Sequence, residues 1–246
     1  MGKLKFAIVS VSKDEDFKFT DEDIQKANEV FPDMLFFKVV NSAGERLPVI
    51  YNRYLKKFRD EGGYDYVIFV HSDAKFDIPE LVGKLGRAEG NYDIIGLCGC
   101  RELDTLATPL NWYVGSQFKP HTRYGFVSHG ELKDAPSFFN QSEPTIENID
   151  VAAIDGVCIV FMKTALATDI SFDERFVFDQ YDTDLSLEAT VKRNMRLGVV
   201  VEKTLKHYSV GKSILSKRFL VGEIELRKKW NLQFPKKLMQ RMGAVQ

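Results

Sequence analysis

Residues 64–73 read YDYVIFVHSD: an apolar run, Tyr64 to Val70, that ends in His71-Ser72-Asp73. A run this rich in β-branched and aromatic residues predicts a strand buried on both faces, as in the interior of a parallel sheet. Outward from it the same alternation recurs on both sides. Upstream, Lys3 to Val11 (KLKFAIVSV) predicts a first strand, followed by a polar turn over Ser12 to Lys18. Thr20 and Asp23 form a variant capping box that opens a helix to about Val30. Met34 to Val40 (MLFFKVV) is a second strand, and the NSAGE loop leads to a helix over Leu47 to Arg59 that ends at Gly62-Gly63. Downstream, Asp77 and Pro79 start another helix and Asp93 to Cys98 is a fourth strand. This β-α-β-α-β-α-β rhythm with short loops predicts an α/β fold: a mostly parallel central sheet with helices on both faces, Rossmann-like in its first half.

From Arg101 to Ile149 the chain is loop-rich, with Pro109, Pro120, Pro136 and Pro144 among aromatics such as Trp112 and Tyr113. A long irregular stretch inside a compact domain is usually a lid or binding loop. Regular structure resumes with a strand at Val157 to Met162, a helix over Asp184 to Met195 and a strand at Gly198 to Glu202. A basic helical tail follows over Ser213 to Arg241.

Composition narrows the function classes. The 246 residues are 44% hydrophobic and 28% charged with a formal net charge of −1, which is typical of soluble globular proteins and gives no global attraction to nucleic acid. Cys98, Cys100 and Cys158 have neither disulfide-framework nor zinc-knuckle spacing, and Cys158 reads as core. The start MGKLKF lacks a signal-peptide layout, Phe6 stands where a myristoylation pattern needs Ser or Thr, and the apolar run Gly156 to Met162 is too short to span a bilayer. The expectation is a cytoplasmic, reduced protein.

Three clusters carry candidate chemistry. His71 and Asp73, two apart after a strand, can project the same way from the carboxyl end of the sheet, where open α/β sheets hold ligands. An imidazole and a carboxylate there suit a divalent cation bridging diphosphate oxygens, or else a solvated turn. The second is FDQYDTD, residues 178–184, whose Asp182 and Asp184 open a helix as caps or as catalytic acids. The third is His207, after a strand, a metal ligand or a structural histidine. Two motifs fail. SVGKS, residues 209–213, lacks the P-loop's first glycine, because position 206 is Lys206, and the loop after the first strand has none of the glycines and arginines of a nucleotidyltransferase.

In order along the chain stand Asn41, Tyr51-Asn52, VIFVHSD, IIGLCG, IDGVCIVFMK, FDERFVFDQYDTDLSLEA and RLGVVVEKTLKHYSVGKS. This series resembles the family-2-like glycosyltransferases of the GT-A fold, and especially the branch named for a streptomycin-biosynthesis protein. The resemblance covers about residues 3–213. It implies a GT-A domain over 1–213, with a nucleotide-binding half to about residue 100 and an acceptor half after it, plus a basic C-terminal helical extension over 214–246.

By that resemblance HSD replaces an Asp-x-Asp signature, so Asp73 is the metal or diphosphate contact, with His71 as a departure from the usual first acid. His207 completes the metal site and Asp182 is the catalytic base. Ser10, Asn41, Asn52, Ser72 and Lys212 contact the donor, and Asp155, Gly156, Trp112 and Asp184 border the acceptor. The implied cofactor is Mn²⁺ or Mg²⁺ with a nucleotide-sugar donor, UDP-linked by family preference. Inverting transfer to an acceptor hydroxyl follows, with Lys206 or Lys212 near the leaving diphosphate. The partners implied are that donor and a glycan, lipid-linked or small-molecule acceptor, with the C-terminal helix as a candidate peripheral membrane contact. Two alternatives use the same residues: a metal-dependent phosphoesterase and a non-catalytic nucleotide- or glycan-binding relative.

Overall fold

The computed structural model describes residues 4–103, 123–128, 148–209 and 216–233. Trp112 and Lys212 lie outside them, as does most of the loop-rich middle.

The first half forms as its local patterns dictate. Strand β1 (Phe6–Ser12) leads to helix α1 (Asp21–Val30), where Thr20 and Asp23 cap each other's backbone N–H groups. Strand β2 (Leu35–Val40), helix α2 (Leu47–Glu61) and strand β3 (Tyr66–His71) follow, with Gly62 ending α2 at φ 67°. After a short strand β4 (Ala74–Lys75), Asp77 caps helix α3 (Ile78–Ala88) by accepting from Glu80 N at 2.8 Å.

The expected fourth strand is split in two. Strand β5 (Ile94–Gly96) stays in the main sheet, whereas β6 (Cys98–Cys100) joins β7 (Arg123–Gly125) and β9 (Ala153–Ile154) in a second, antiparallel sheet. Glycine permits the crossing, because a Cβ at Gly96 would stand 2.6 Å from Ile154. The rest of the main sheet comes from β8 (Asn148–Asp150), β10 (Cys158–Met162) and β11 (Leu197–Val200). Its order is β2-β1-β3-β10-β5-β11-β8. Strands β10 and β8 run against the other five, so the sheet is mostly parallel with one reversed strand at its centre.

Alternate residues of the buried strands divide the core. Phe6, Ile8, Ile68 and Val70 pack with Ala27, Leu81 and Leu85 of α1 and α3. Ala7, Val9, Val67 and Phe69 pack with Tyr51, Leu55 and Phe58 of α2. Helix α4 (Lys163–Leu166) is a single turn.

Helix α5 (Tyr181–Leu187) begins three residues before the expected Asp184 and passes into a π-helical turn over Glu188–Lys192. It starts early because Tyr181 and Leu185 are both core residues, and because Gln180, at φ 69°, turns the chain sharply into it. Strand β12 (Lys206–His207) pairs with β4 as a two-stranded ribbon.

The C-terminal helix α6 (Lys217–Lys229), capped by Ser216, is no loose appendage. Leu220, Glu223, Leu226 and Arg227 are buried beneath it. Its polar contacts reach the start of α5: Glu223 accepts from Gln180 Nε2 at 3.0 Å, and Asp184 accepts from Lys229 Nζ and Trp230 Nε1, each at 2.8 Å. No described helix is long and apolar enough to cross a membrane.

Candidate functional site

Strand β3 delivers His71 at the carboxyl end of the sheet, and Asp73 follows in the turn to β4. His207 arrives from far along the chain because β12 pairs antiparallel with β4, setting His207 opposite Ala74. The backbone reinforces this ribbon: Tyr208 N donates to the Asp73 carbonyl at 2.7 Å. The result is a half-buried His71–Asp73–His207 cluster whose candidate ligand atoms all lie within 4.8 Å of one another.

Its donor set fits a divalent cation. His207 Nε2 stands 3.3 Å from Asp73 Oδ1, close to the spacing of about 3 Å for two ligands that share a cation at about 2.1 Å. His71 Nε2 lies 3.0 Å from the Tyr181 hydroxyl, which itself donates to the Gly156 carbonyl at 3.1 Å. With the phenol proton so engaged, its oxygen accepts from His71 Nε2–H, which leaves Nδ1 of that ring with a lone pair for a metal. Burial, then the neighbouring His207, holds the His71 imidazole below its ordinary value, favouring the neutral form that ligation needs. Burial works against ionisation of Asp73, but the hydrogen bond and charge of His207 outweigh it and keep the carboxyl below its usual range. Burial likewise opposes the charge on His207, yet Asp73 raises it overall.

Asp182 lies in the first turn of α5. Its Oδ2 accepts from Gly156 N at 2.9 Å and its Oδ1 from Thr183 N at 2.7 Å. Burial, then the charge of Asp155, pushes its carboxyl up to about 7. Gly156 thus joins the two halves of the site, with its N–H on Asp182 and its carbonyl under Tyr181. No other residue fits there, because a Cβ would stand 2.2 Å from the Tyr181 hydroxyl oxygen. Asp155 closes the same turn by accepting from Val157 N at 2.7 Å.

The structure therefore brings together His71, Asp73, His207, Asp155, Gly156 and Asp182. Ser72 is in the same loop, and its carbonyl accepts from Lys18 N at 2.8 Å. Other residues expected to contact substrate have different occupations. Both oxygens of Asp184 accept hydrogen bonds, one from Lys229 of α6 and one from Trp230 just after it. Asn52 clamps α2 to the chain ahead of α5, exchanging hydrogen bonds of 2.9 Å with the backbone of Phe172. Asn41 closes its own loop through both backbone groups of Glu45. Ser10 is buried in β1, its hydroxyl unpaired among the described residues.

Two residues of the site escaped the sequence reading. Tyr181 was visible within FDQYDTD, but nothing local ties it to a histidine on another strand. Phe178 is 42% exposed, and its ring lies 5.5 Å from that of His71 and under the Arg218 guanidinium at 5.0 Å.

No family model matches the sequence, and no curated protein matches it either. Solved structures do share its architecture. Staphylococcus aureus TarS, as its segment 1–349, superposes with a TM-score of 0.50 at 13% identity, over 95% of this chain and 68% of that one. GalNAc-T7, solved with UDP, GalNAc and Mn²⁺, superposes with a TM-score of 0.52 at 10% identity. There the match takes in 92% of this chain but only 48% of the other. The fold they share with this chain is the GT-A fold.

Proposed function

We propose that this GT-A chain is a metal-dependent glycosyltransferase of the family-2-like type, moving a sugar from a nucleotide diphosphate to an acceptor hydroxyl. The observation that carries the reading is the His71–Asp73–His207 cluster at the carboxyl end of β3, joined through Tyr181 and Gly156 to the raised-pKa carboxyl of Asp182. GalNAc-T7, alike in fold, was solved with a uridine diphosphate and Mn²⁺, which supports a divalent metal and a UDP-linked donor here.

In this reading His71, Asp73 and His207 would hold the cation, which would supply charge neutralisation at the diphosphate. Tyr181 orients His71. Asp182 takes the proton of the acceptor hydroxyl as the acceptor oxygen bonds to the anomeric carbon and the bond from that carbon to the diphosphate breaks, releasing nucleoside diphosphate; a single displacement of that kind inverts configuration. The Asp155-Gly156 turn borders the transferred sugar, residues 1–100 form the nucleotide half and residues 101–213 the acceptor half. Incubation with UDP-, GDP- and CDP-sugars and Mn²⁺ in the absence of acceptor tests the reading. Slow release of nucleoside diphosphate is expected, and release of monophosphate would establish a phosphoesterase instead.

A lipid contact through the C-terminal stretch is a separate proposal, supported by the exposed Lys217 and Lys228 on α6. Because α6 is packed into the domain, the test is reversal of those charges and not truncation. Unchanged flotation with anionic vesicles would end the idea.

A further inference from the structure

The His71–Asp73–His207 cluster contains a single carboxylate. A divalent cation there keeps a net charge of about +1, whereas a sugar-linked diphosphate carries about −2 and gains a further negative charge on leaving. A fixed positive charge on the rim of the cluster would offset the remainder.

Lys18 is in position to be it. Its backbone N–H donates to the Ser72 carbonyl at 2.8 Å, which seats the turn after β1 directly on the 71–73 loop. Phe19, the next residue, is buried against Phe36 and Phe76 at ring distances of 5.3 and 5.1 Å, so this seat is anchored in the core. The Lys18 ammonium lies 5.4 Å from the ring centroid of Tyr208, the residue after His207, whose own N–H is bound to the Asp73 carbonyl. Its ion partner is Asp16, at 2.9 Å to one carboxylate oxygen and 3.2 Å to the other. Asp16 is 67% exposed, and an ion pair so open to water is weak enough for a diphosphate to displace. Of the two lysines on the β12–β4 ribbon, Lys75 is held by Asp23 at 3.2 Å, and Lys206 precedes His207 in β12, so the alternation of a strand turns it to the opposite face.

We infer that Lys18 binds the diphosphate of the nucleotide-sugar donor and stabilises it as it leaves. This assignment rests on the transferase reading above. The full chain with Mn²⁺ is titrated calorimetrically with UDP, GDP, CDP and ADP, and the tightest binder is carried forward with its parent nucleoside. Lys18→Met should weaken the diphosphate by about 10–100-fold, the span of a hydrogen bond to a charged group, and leave the nucleoside unchanged. Lys18→Arg should restore most of the affinity. Asp16→Asn, which frees the ammonium, should tighten the diphosphate severalfold in the wild-type background and not in Lys18→Met, a contrast that damage to the fold would not produce. Diphosphate affinity unmoved by Lys18→Met, with wild-type binding intact, overturns the Lys18 assignment alone. Wild-type protein that binds none of the four diphosphates overturns the assignment together with the transferase reading.

Discussion

As the proposed general base, Asp182 faces two opposing demands: it would have to ionise to act, and its setting resists ionisation. With its carboxyl pushed up to about 7, kcat/KM should rise along a single limb near that pH as the base deprotonates. Asp182→Asn should remove the limb and lower turnover by ~10²–10⁴-fold, with donor KM little changed. The same shift governs stability. An aspartate titrates at about 3.9 in the unfolded chain, so between about 4 and 7 the folded state binds more protons and stability falls as pH rises. Thermal melts from pH 5 to pH 8 should therefore show Asp182→Asn gaining on wild type up to about pH 7 and levelling off above it. A constant difference would mean that the carboxyl titrates normally. Tyr181 is the second residue-scale case, since its hydroxyl orients His71 from the other side. Tyr181→Phe should weaken Mn²⁺ binding by about 10–100-fold, the usual effect of losing the group behind a ligand, and calorimetry with Mn²⁺ alone measures it.

Among the elements, α6 ties the start of α5 into the domain. Glu223 and Arg227 are fully buried and paired at 2.7 Å, and Glu223 also holds the side chain of Gln180, the left-handed residue that starts α5. Two positions beyond Asp182, Asp184 is tied to Lys229 and Trp230 of the same C-terminal stretch. The first turn of α5, which carries Asp182, is thus gripped on both sides by a helix outside the α/β alternation. Glu223→Ala should destabilise the protein by about 3–5 kcal/mol, because it leaves the Arg227 charge buried without its carboxylate. Urea denaturation reads this directly, and a loss below about 1 kcal/mol would show that α6 docks through its apolar side chains alone.

At the scale of the whole molecule, the cluster links distant parts of the chain: His71 and Asp73 follow the central strand β3, and His207 belongs to the β12–β4 ribbon. A ligand that binds only this assembled arrangement stabilises the entire fold. Mn²⁺ at about a hundred times its dissociation constant should add about 2.7 kcal/mol, which raises Tm by about 5–10 °C for a domain of this size. Asp73→Ala should abolish that increment. An equal shift in mutant and wild type would place the metal elsewhere.

The amino-acid sequence alone determined the first three long strands and the three helices of the first half, but not the division of the expected fourth strand between two sheets. Alternation, the Thr20–Asp23 box and the Asp77 cap act over a few residues, and the structure reproduces each of them. It also placed His71 and Asp73 at the end of a buried strand, since that follows from one apolar run. Direction and partnership were decided by the tertiary structure. Val157 to Met162 reads as a strand either way, and only its pairing with β3 and β5 shows that it runs antiparallel to them. His207 becomes a neighbour of Asp73 through pairing with β4, and Asp184 and Asn52 become anchors through partners 45 and 120 residues away. Local patterns report what a segment buries. The choice of partner depends on which distant groups must satisfy one another once water is excluded, and that is settled only when the whole core forms.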